Sequence, residues 1–236
     1  MLKLILYNHL DIVYHIIRNC KRKNAGGVSY MFKKTLLALA LCLAVSATAF
    51  AAVTEKKESG DKYQVSYPVF TLKKAKAAQR INDDILAMVT KTKELAQSSH
   101  PTYVAVGTNY EIISENDKYI CIIFTTWDNM GGAHGMYHDH GIVYDAKSGK
   151  RLPYTKFAKA IKGEALYDGI ANRQFKVYVS DLTTPSDAPF LKYIKKDAFN
   201  VSKDYIIKNG KVYLMYPPYE LDCYAAGTTY VELPKK

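Results

Sequence analysis

The sequence predicts an α+β fold in which hairpin-linked strands form an antiparallel sheet, with a long N-terminal helix and later helices packed on one face. Three observations predict it. Runs of alternating apolar and polar residues follow one another directly instead of alternating with helices. One long stretch, Lys73 to Gln97, carries apolar residues at steps of three and four. Asn209-Gly210, between two apolar runs, has the composition of a tight hairpin turn.

Residues 31–51 predict export. A positively charged start at Lys33 and Lys34 precedes an uncharged apolar run, Thr35 to Val45, and then small residues up to Ala51. This order is typical of a secretory signal peptide, with cleavage after Ala51. The apolar run is shorter than the roughly 20 residues that a membrane span needs. We therefore expect a periplasmic, extracellular or cell-surface protein with no membrane span in its mature chain.

The segments around this peptide are interpreted differently. Residues 1–30 interrupt an apolar stretch with Asp11, which would cost about 2–3 kcal/mol inside a membrane. We interpret them as a probable upstream or mis-started segment. Residues 52–61 are charged and poor in apolar side chains, so we expect a mobile leader. Two halves, 62–137 and 138–234, are expected to follow and to pack as one unit.

The remaining elements follow from periodicity and turn residues. Strands are predicted at 63–70, 103–114, 118–127, 134–144, 205–207, 211–216 and 227–233. The run Lys118 to Trp127 is apolar at both alternating positions, which predicts a central strand covered on both faces. Lys156 to Val179 is predicted to be mostly helical, Thr183 to Pro189 a loop, and Phe190 to Phe199 a short amphipathic helix.

Charge excludes a nucleic-acid partner. The whole chain carries a formal net charge of +11, but seven of its 33 basic residues and one of its 22 acidic residues precede Ala52. The remaining chain therefore carries +5, with Lys and acidic residues interspersed rather than gathered in a basic stripe. Cys121 and Cys223 remain in this part, and they could pair as a disulfide or stay as free thiols in apolar strand positions.

Several short blocks carry a family resemblance. They are Tyr67-Pro68-Val69-Phe70, Ile81-Asn82, Gly131-Gly132-Ala133-His134-Gly135, Tyr144-Asp145 with Ser148-Gly149-Lys150-Arg151-Leu152, and Pro218-Tyr219-Glu220 with Ala225-Ala226-Gly227. In this order and spacing they resemble the paired domains of unknown function in the bacterial PdaC-type deacetylases and RsiV-type anti-sigma factors. The resemblance makes 62–137 a PdaC-like half and 138–234 an RsiV-like half.

The resemblance implies an exported accessory or sensory domain. In RsiV-like proteins this region binds lysozyme, and in PdaC-like proteins it accompanies a catalytic domain that acts on peptidoglycan. This chain departs from the first pattern because its mature part is basic, whereas a receptor for the basic lysozyme should be acidic.

Three histidines are the candidates for metal chemistry. His138 and His140 are two residues apart on a predicted strand and therefore share a face, with His134 or a distant carboxylate as a third ligand. The alternative interpretation makes His138 and His140 surface residues. We interpret His134, with Gly131, Gly132 and Gly135, as a structural turn in which the imidazole binds nearby backbone.

Tyrosines near the C-terminus are the candidates for a binding surface. Seventeen of the 20 tyrosines follow Ala51, and most of them suit strands. Pro217-Pro218 would form a rigid segment that presents Tyr216 and Tyr219, with Tyr224 nearby, and tyrosine is enriched at interfaces.

Together these observations favour a non-catalytic binding or sensory domain of the cell envelope. The expected partner is peptidoglycan or another wall polymer, or an exported protein such as a lysozyme, and no cofactor is expected. The sequence has no nucleophile motif of the G-x-S-x-G type and no phosphate-binding loop. The alternative is a metal-dependent hydrolase of envelope polysaccharide built around the three histidines.

Overall fold

A computed structural model describes residues 51–97, 105–186 and 191–236. The predicted signal peptide, apart from Ala51, and the segment 1–30 lie outside the described residues. Ten strands and two α-helices form within them. The strands are β1 (Ala51–Ser59), β2 (Tyr63–Leu72), β3 (Ala105–Glu115), β4 (Tyr119–Asn129), β5 (Met136–Asp145), β6 (Val177–Val179), β7 (Pro185–Ser186), β8 (Tyr205–Lys208), β9 (Lys211–Tyr216) and β10 (Thr229–Leu233), and the helices are α1 (Ala75–Gln97) and α2 (Gly163–Ala171).

The first sheet, sheet I, has the strand order β1-β2-β3-β4-β5. Its strands pair antiparallel except β2 and β3, which run parallel through the pairs Tyr63 with Val106 and Val65 with Thr108. The expectation of a purely antiparallel sheet is therefore wrong at this pair. The α1 segment connects β2 to β3, and a crossover of that length is what parallel neighbours need.

Strand β1 replaces the expected mobile leader. Residues 52–61 were expected to be unstructured because they are charged, yet Ala51–Ser59 pairs with β2 along its full length. Most of its side chains are exposed. Charged side chains are typical of edge strands, where they discourage pairing with other molecules, so here they mark an edge rather than a loop.

Helix α1 covers one face of sheet I. Ile81, Ile85 and Val89 are fully buried, and they pack in one core with Ile120 and Phe124 of β4, among other residues. The amphipathic helix predicted at 73–97 is confirmed. It follows two strands, however, so the description of it as N-terminal is wrong.

A second sheet, sheet II, has the order β7-β6-β10-β9-β8 and forms a second core with the other face of sheet I. Cys121 and Ile123 of β4 lie in this core, whereas Ile120 and Ile122 face α1. The prediction of a strand covered on both faces is confirmed. Leu166 of α2 also lies in the second core, so the helices do not share one face as expected.

The region 154–199 contains less helix than predicted. Helix α2 ends at Ala171, and Arg173 two residues later has a positive φ of 58°, a conformation that terminates helices. Val177–Val179 then pairs with β10 as a strand. Two 3₁₀ turns, Leu191–Tyr193 and Lys196–Ala198, replace the amphipathic helix expected at 190–199.

The hairpin between β8 and β9 is confirmed. Asn209 and Gly210 have φ values of 52° and 70°, as a type I′ turn requires at both central positions. The expected division of the chain at residue 137 falls inside β5, which continues sheet I to Asp145. In the part of the chain that the structure describes, neither helix combines the length and apolarity needed to cross a bilayer.

Cys121 and Cys223, the two cysteines in the described part of the chain, are free thiols. Cys121 is completely buried, and its sulfur accepts a hydrogen bond from the Ile207 amide at 3.3 Å. Cys223 is partly exposed in the segment before the last strand. The disulfide left open by the sequence is therefore not formed in this structure. Burial raises the pKa of the Cys121 thiol to about 12, which keeps it protonated and unreactive.

Candidate functional site

The Gly-rich segment after β4 is tied to the C-terminal half. The Nδ1 atom of His134 lies 2.9 Å from the carbonyl oxygen of Gly135, and the imidazole stacks on Tyr224 with ring centroids 3.9 Å apart. The Tyr224 hydroxyl donates to the same Gly135 carbonyl at 2.8 Å. The ring of His134 thus contacts nearby backbone, although it is exposed rather than buried. Positive φ occurs at Gly131, at 78°, and not at Gly132.

The three tyrosines expected to form a binding surface differ in how far they are buried. Tyr216 is 3% exposed, and its hydroxyl donates to the Asn200 carbonyl and accepts from the Ser202 amide. It belongs to the core, so its proposed presentation to a ligand is wrong. Tyr219 is 59% exposed, and Tyr224 is half-buried against His134. A flat tyrosine surface is therefore reduced to Tyr219 and part of Tyr224.

His138 and His140 form a cluster with Asp204, which the sequence did not single out. His138 and His140 are alternate residues of β5, and their rings stack with centroids 4.2 Å apart. Nε2 of His138 and Nδ1 of His140 lie 3.4 Å and 3.8 Å from the same oxygen, Oδ2 of Asp204. Asp204 directly precedes β8. His134, expected as an alternative third ligand, is not part of this cluster.

The charges of the cluster depend on one another. Burial acts to raise the pKa of Asp204, but the hydrogen bonds and charges of His138 and His140 outweigh it and lower the pKa to about 2. The hydrogen bond to Asp204 raises the pKa of His138 against the opposing effect of burial. Burial also raises the pKa of Glu220, which lies close enough to His138 for the imidazole to oppose that rise.

A cavity of about 320 Å³ lies beside the cluster. Its walls include His138, Glu220, Pro218 and Asp128. Oδ1 of Asp128 is buried without a hydrogen-bond partner in the described part of the chain, and burial raises the pKa of this carboxyl. A buried polar atom of this kind costs stability, so it is a feature that needs an explanation.

A second, polar groove lies on the face of sheet I opposite α1. Residues paired across a sheet share a face, and the pairs Ser59 with Gln64, Gln64 with Gly107 and Gly107 with Trp127 form one row across four strands. Asn109 shares this face because it is two residues from Gly107. The groove encloses about 400 Å³.

Trp127 forms the apolar wall of this groove. A Cβ atom at Gly107 would overlap the indole, so the ring lies across β3 instead of pointing away from the sheet. Glycine is therefore needed at 107 for the indole to lie against the backbone. The neighbouring side-chain amides of Gln64 and Asn109 are exposed, and no described group hydrogen bonds to them. The groove thus combines one aromatic surface with free donors and acceptors.

This groove was not predicted from the sequence, because residues 52–61 have the composition of a leader and the single tryptophan is outnumbered by the tyrosines. Polar residues at alternate positions of β2 were the available indication, since Gln64 and Ser66 alternate with apolar Val65. The row across four strands could not be found, because it depends on the parallel register of β2 and β3.

Two family matches divide the chain. Residues 54–137 match the family described as Deacetylase PdaC, and residues 155–236 match the Protein of unknown function (DUF3298) family. The chain therefore carries a PdaC match and a DUF3298 match in tandem. This confirms the resemblance identified from the short blocks. No curated protein matches the chain.

Two solved structures of DUF3298 proteins are similar to this chain. A DUF3298 family member from Bacteroides fragilis NCTC 9343 is 11% identical, with a TM-score of 0.53 over 78% of this chain and 89% of that chain. A DUF3298 family protein from Pseudomonas aeruginosa PAO1 is 17% identical, with a TM-score of 0.49 over 78% of this chain and 88% of that chain. At such identities the first likeness supports the α+β fold alone.

The polar groove and the histidine cluster lie in different positions relative to the two family matches. The polar groove lies within the PdaC domain, because Ser59, Gln64 and Trp127 all fall in 54–137. The histidine cluster joins β5, which extends past the PdaC match, to Asp204 of the DUF3298 domain. The contact of Gly135 with Tyr224 also joins the two domains.

Proposed function

We propose that this PdaC–DUF3298 protein is an exported, non-catalytic binding module of the cell envelope, and that a wall glycan is its ligand. The observation that carries the proposal is the groove of the PdaC domain, where the Trp127 indole borders the exposed amides of Gln64 and Asn109. Its volume of about 400 Å³ lies within the range of about 300–1,000 Å³ that is common for ligand sites.

A glycan matches this combination of groups. The C–H face of a pyranose is apolar and packs on an aromatic ring, whose burial is favourable. Hydroxyl and N-acetyl groups on the sugar rim can donate to and accept from side-chain amides, each of which offers both functions. The exposed amides of Gln64 and Asn109 lose little free energy when a sugar group replaces their bound water. Each hydrogen bond formed contributes about 0.5–1.5 kcal/mol net.

The groove lacks the features of a catalytic carboxylate. Glu55 and Glu58 line it. Hydrogen bonds from Lys57 and Ser66 lower the pKa of Glu55, and hydrogen bonds from Lys93 and Tyr67 lower the pKa of Glu58. A general acid needs a raised pKa in order to hold its proton near neutral pH. The arrangement therefore favours binding over hydrolysis at this site.

Export and the family supply the setting. The signal peptide predicted at 31–51 would deliver the domain to the envelope. The first domain matches a family described as Deacetylase PdaC, and the resemblance to PdaC-type proteins implies a domain that accompanies peptidoglycan chemistry. A wall glycan is consistent with both the location and the groove.

The experiment uses the fluorescence of the only tryptophan in the chain. Titration of the purified protein with soluble peptidoglycan fragments should change the Trp127 emission in a saturable way. Asn109→Ala and Gln64→Ala should each weaken binding by about 3–10-fold, corresponding to one lost hydrogen bond. Tyr219→Ala is the matched control, because its exposed ring lies outside the groove and should leave affinity unchanged.

Two outcomes would reject the proposal. One is unchanged Trp127 emission together with no co-sedimentation of the protein with intact peptidoglycan. The other is loss of binding in Tyr219→Ala while Asn109→Ala binds normally, which would move the site to the tyrosine surface and favour an exported protein as partner.

A further inference from the structure

We propose that His138, His140 and Asp204 form a binding site for one divalent transition-metal ion, with zinc as the best-fitting ion, and that the ion joins sheet I to sheet II. This site is separate from the glycan groove and does not depend on it. Its three side chains come from β5 of sheet I and from the residue before β8 of sheet II.

The strand geometry brings the ligands together. His138 and His140 project from the same face of β5, because side chains alternate along a strand. Asp204 meets both of them at the edge of sheet I, where β5 is the last strand. A potential ligand atom from each residue lies within 4.8 Å of the other two. One ion can therefore contact all three side chains.

Two of the three ligand separations are close to those around a tetrahedral ion. Bonds of about 2.0–2.2 Å at tetrahedral angles place neighbouring ligand atoms roughly 3.3–3.6 Å apart. The two His-to-Asp204 separations are 3.4 Å and 3.8 Å. The ligands therefore need only a small inward rotation about their side-chain bonds to reach bonding geometry.

A further contact orients one of the imidazoles. Nδ1 of His140 points to Asp204, and Nε2 of the same ring lies 3.4 Å from the Thr126 hydroxyl oxygen. A metal-bound histidine usually donates its other ring N–H to a neighbouring oxygen, which fixes the ring orientation. Thr126 is in position for that role. A chance pair of surface histidines would not require this second contact to His140.

The ligand types select the metal. Two imidazoles and one carboxylate are typical ligands of zinc, whereas magnesium and calcium prefer oxygen ligands alone. The three side chains are 39%, 32% and 25% exposed, so an ion can enter from solvent. Three protein ligands also leave a fourth position for water or for another ligand.

The consequence of binding is a link between sheet I and sheet II. Because all three ligands are brought together only in the folded protein, the ion binds the native state and stabilises it. At a zinc concentration 100 times the Kd, the melting temperature should rise by about 5–10 °C. The bound ion would also restrict the movement of the walls of the adjacent cavity, which include His138 and Glu220.

The test is zinc titration of chelator-treated protein, followed by calorimetry and thermal melting. One zinc per chain should bind and raise the melting temperature. His140→Ala should weaken zinc binding at least about 100-fold, since loss of even an outer contact costs 10–100-fold. His134→Ala is the matched control, because it removes an exposed histidine of the same segment and should bind zinc normally. Magnesium should not replace zinc.

Folding is checked independently. The side chains of His138 and His140 are 39% and 32% exposed, so His140→Ala should keep the circular dichroism spectrum and the zinc-free melting temperature within a few degrees of the unsubstituted protein. Asp204→Asn provides a second ligand variant and should also lose binding. The proposal would be overturned if the protein does not bind zinc at about 100 µM. It would also be overturned if His140→Ala binds zinc as well as the unsubstituted protein does.

Discussion

Asn82 of α1 makes an interaction whose loss can be predicted in detail. Its side-chain carbonyl accepts from the Phe70 amide at 2.8 Å, and its amide nitrogen donates to the Phe70 carbonyl at 2.9 Å. Parallel pairing of β2 with β3 ends at Val65. The backbone N–H and C=O of Phe70 therefore have no partner from β3. The side chain of Asn82 pairs with both groups instead. Both residues belong to blocks that carried the family resemblance.

The expected cost of Asn82→Ala follows from these two bonds. Each hydrogen bond contributes about 0.5–1.5 kcal/mol of net stability. The loss is larger where the substitution leaves backbone groups unpaired in a partly buried position. We therefore expect a destabilisation of about 2 kcal/mol. For a protein of this size, 1 kcal/mol shifts the melting temperature by about 2–4 °C, so the shift should be about 4–8 °C.

The charge of a substituted side chain gives a sharper comparison. Asn82→Asp keeps the acceptor for the Phe70 amide but places a carboxylate oxygen against the Phe70 carbonyl, so it should destabilise as much as Asn82→Ala or more. Asp83→Ala, at the next position of the helix, is the control and should stay within about 0.5 kcal/mol. Urea unfolding followed by circular dichroism measures all three. A loss below 0.5 kcal/mol in both Asn82 variants would refute the reasoning.

Three further predictions concern other parts of the fold. Asp84→Ala should cost about 1–3 kcal/mol in urea unfolding, because it leaves the hydroxyl of the fully buried Tyr144 without its acceptor at 2.6 Å; a neutral result would contradict this. Gly149→Ala should cost at least about 1–3 kcal/mol, since φ is +71° and the added Cβ would meet the Ala77 carbonyl; an unchanged melting temperature would show that the turn can adjust. Asp128→Asn should raise the melting temperature at pH 7. Burial raises the pKa of this carboxyl in the folded state, so its ionised form destabilises the protein above that pKa, and the gain should vanish as the pH falls and the carboxyl protonates. A gain that is the same at every pH would exclude this cause.

The sequence predicted the elements whose patterns are local. The apolar positions of α1, the doubly apolar run of β4 and the Asn209-Gly210 turn each determine their own conformation, and all three predictions are confirmed. Strand β1 could not be recognised, because an edge strand with exposed charged residues resembles a loop in composition. Its pairing depends on β2, which supplies the missing hydrogen-bond partners.

The sites were predicted only where neighbours in sequence are neighbours in space. His138 and His140 were found because two residues on one strand share a face. Asp204 was missed because its approach to β5 depends on how sheet II packs on sheet I, and no local pattern encodes that packing. Tyr216 was misassigned for the same reason, since β9 is buried on both faces from Val212 to Tyr216, and that burial depends on the packing of the whole fold.

The blocks that identify the family mainly hold the architecture together. Asn82 completes the hydrogen bonding of β2, Gly149 lets the turn after β5 approach α1, and the carbonyl of Gly135 accepts from Tyr224, which ties the Gly-rich segment to the DUF3298 domain. Each of these contacts is between parts of the protein itself. The residues with free hydrogen-bonding groups in the groove, Gln64 and Asn109, lie outside those blocks. A family match therefore transfers the scaffold more securely than the ligand, because the scaffold contacts and the groove residues occupy different positions of the sequence.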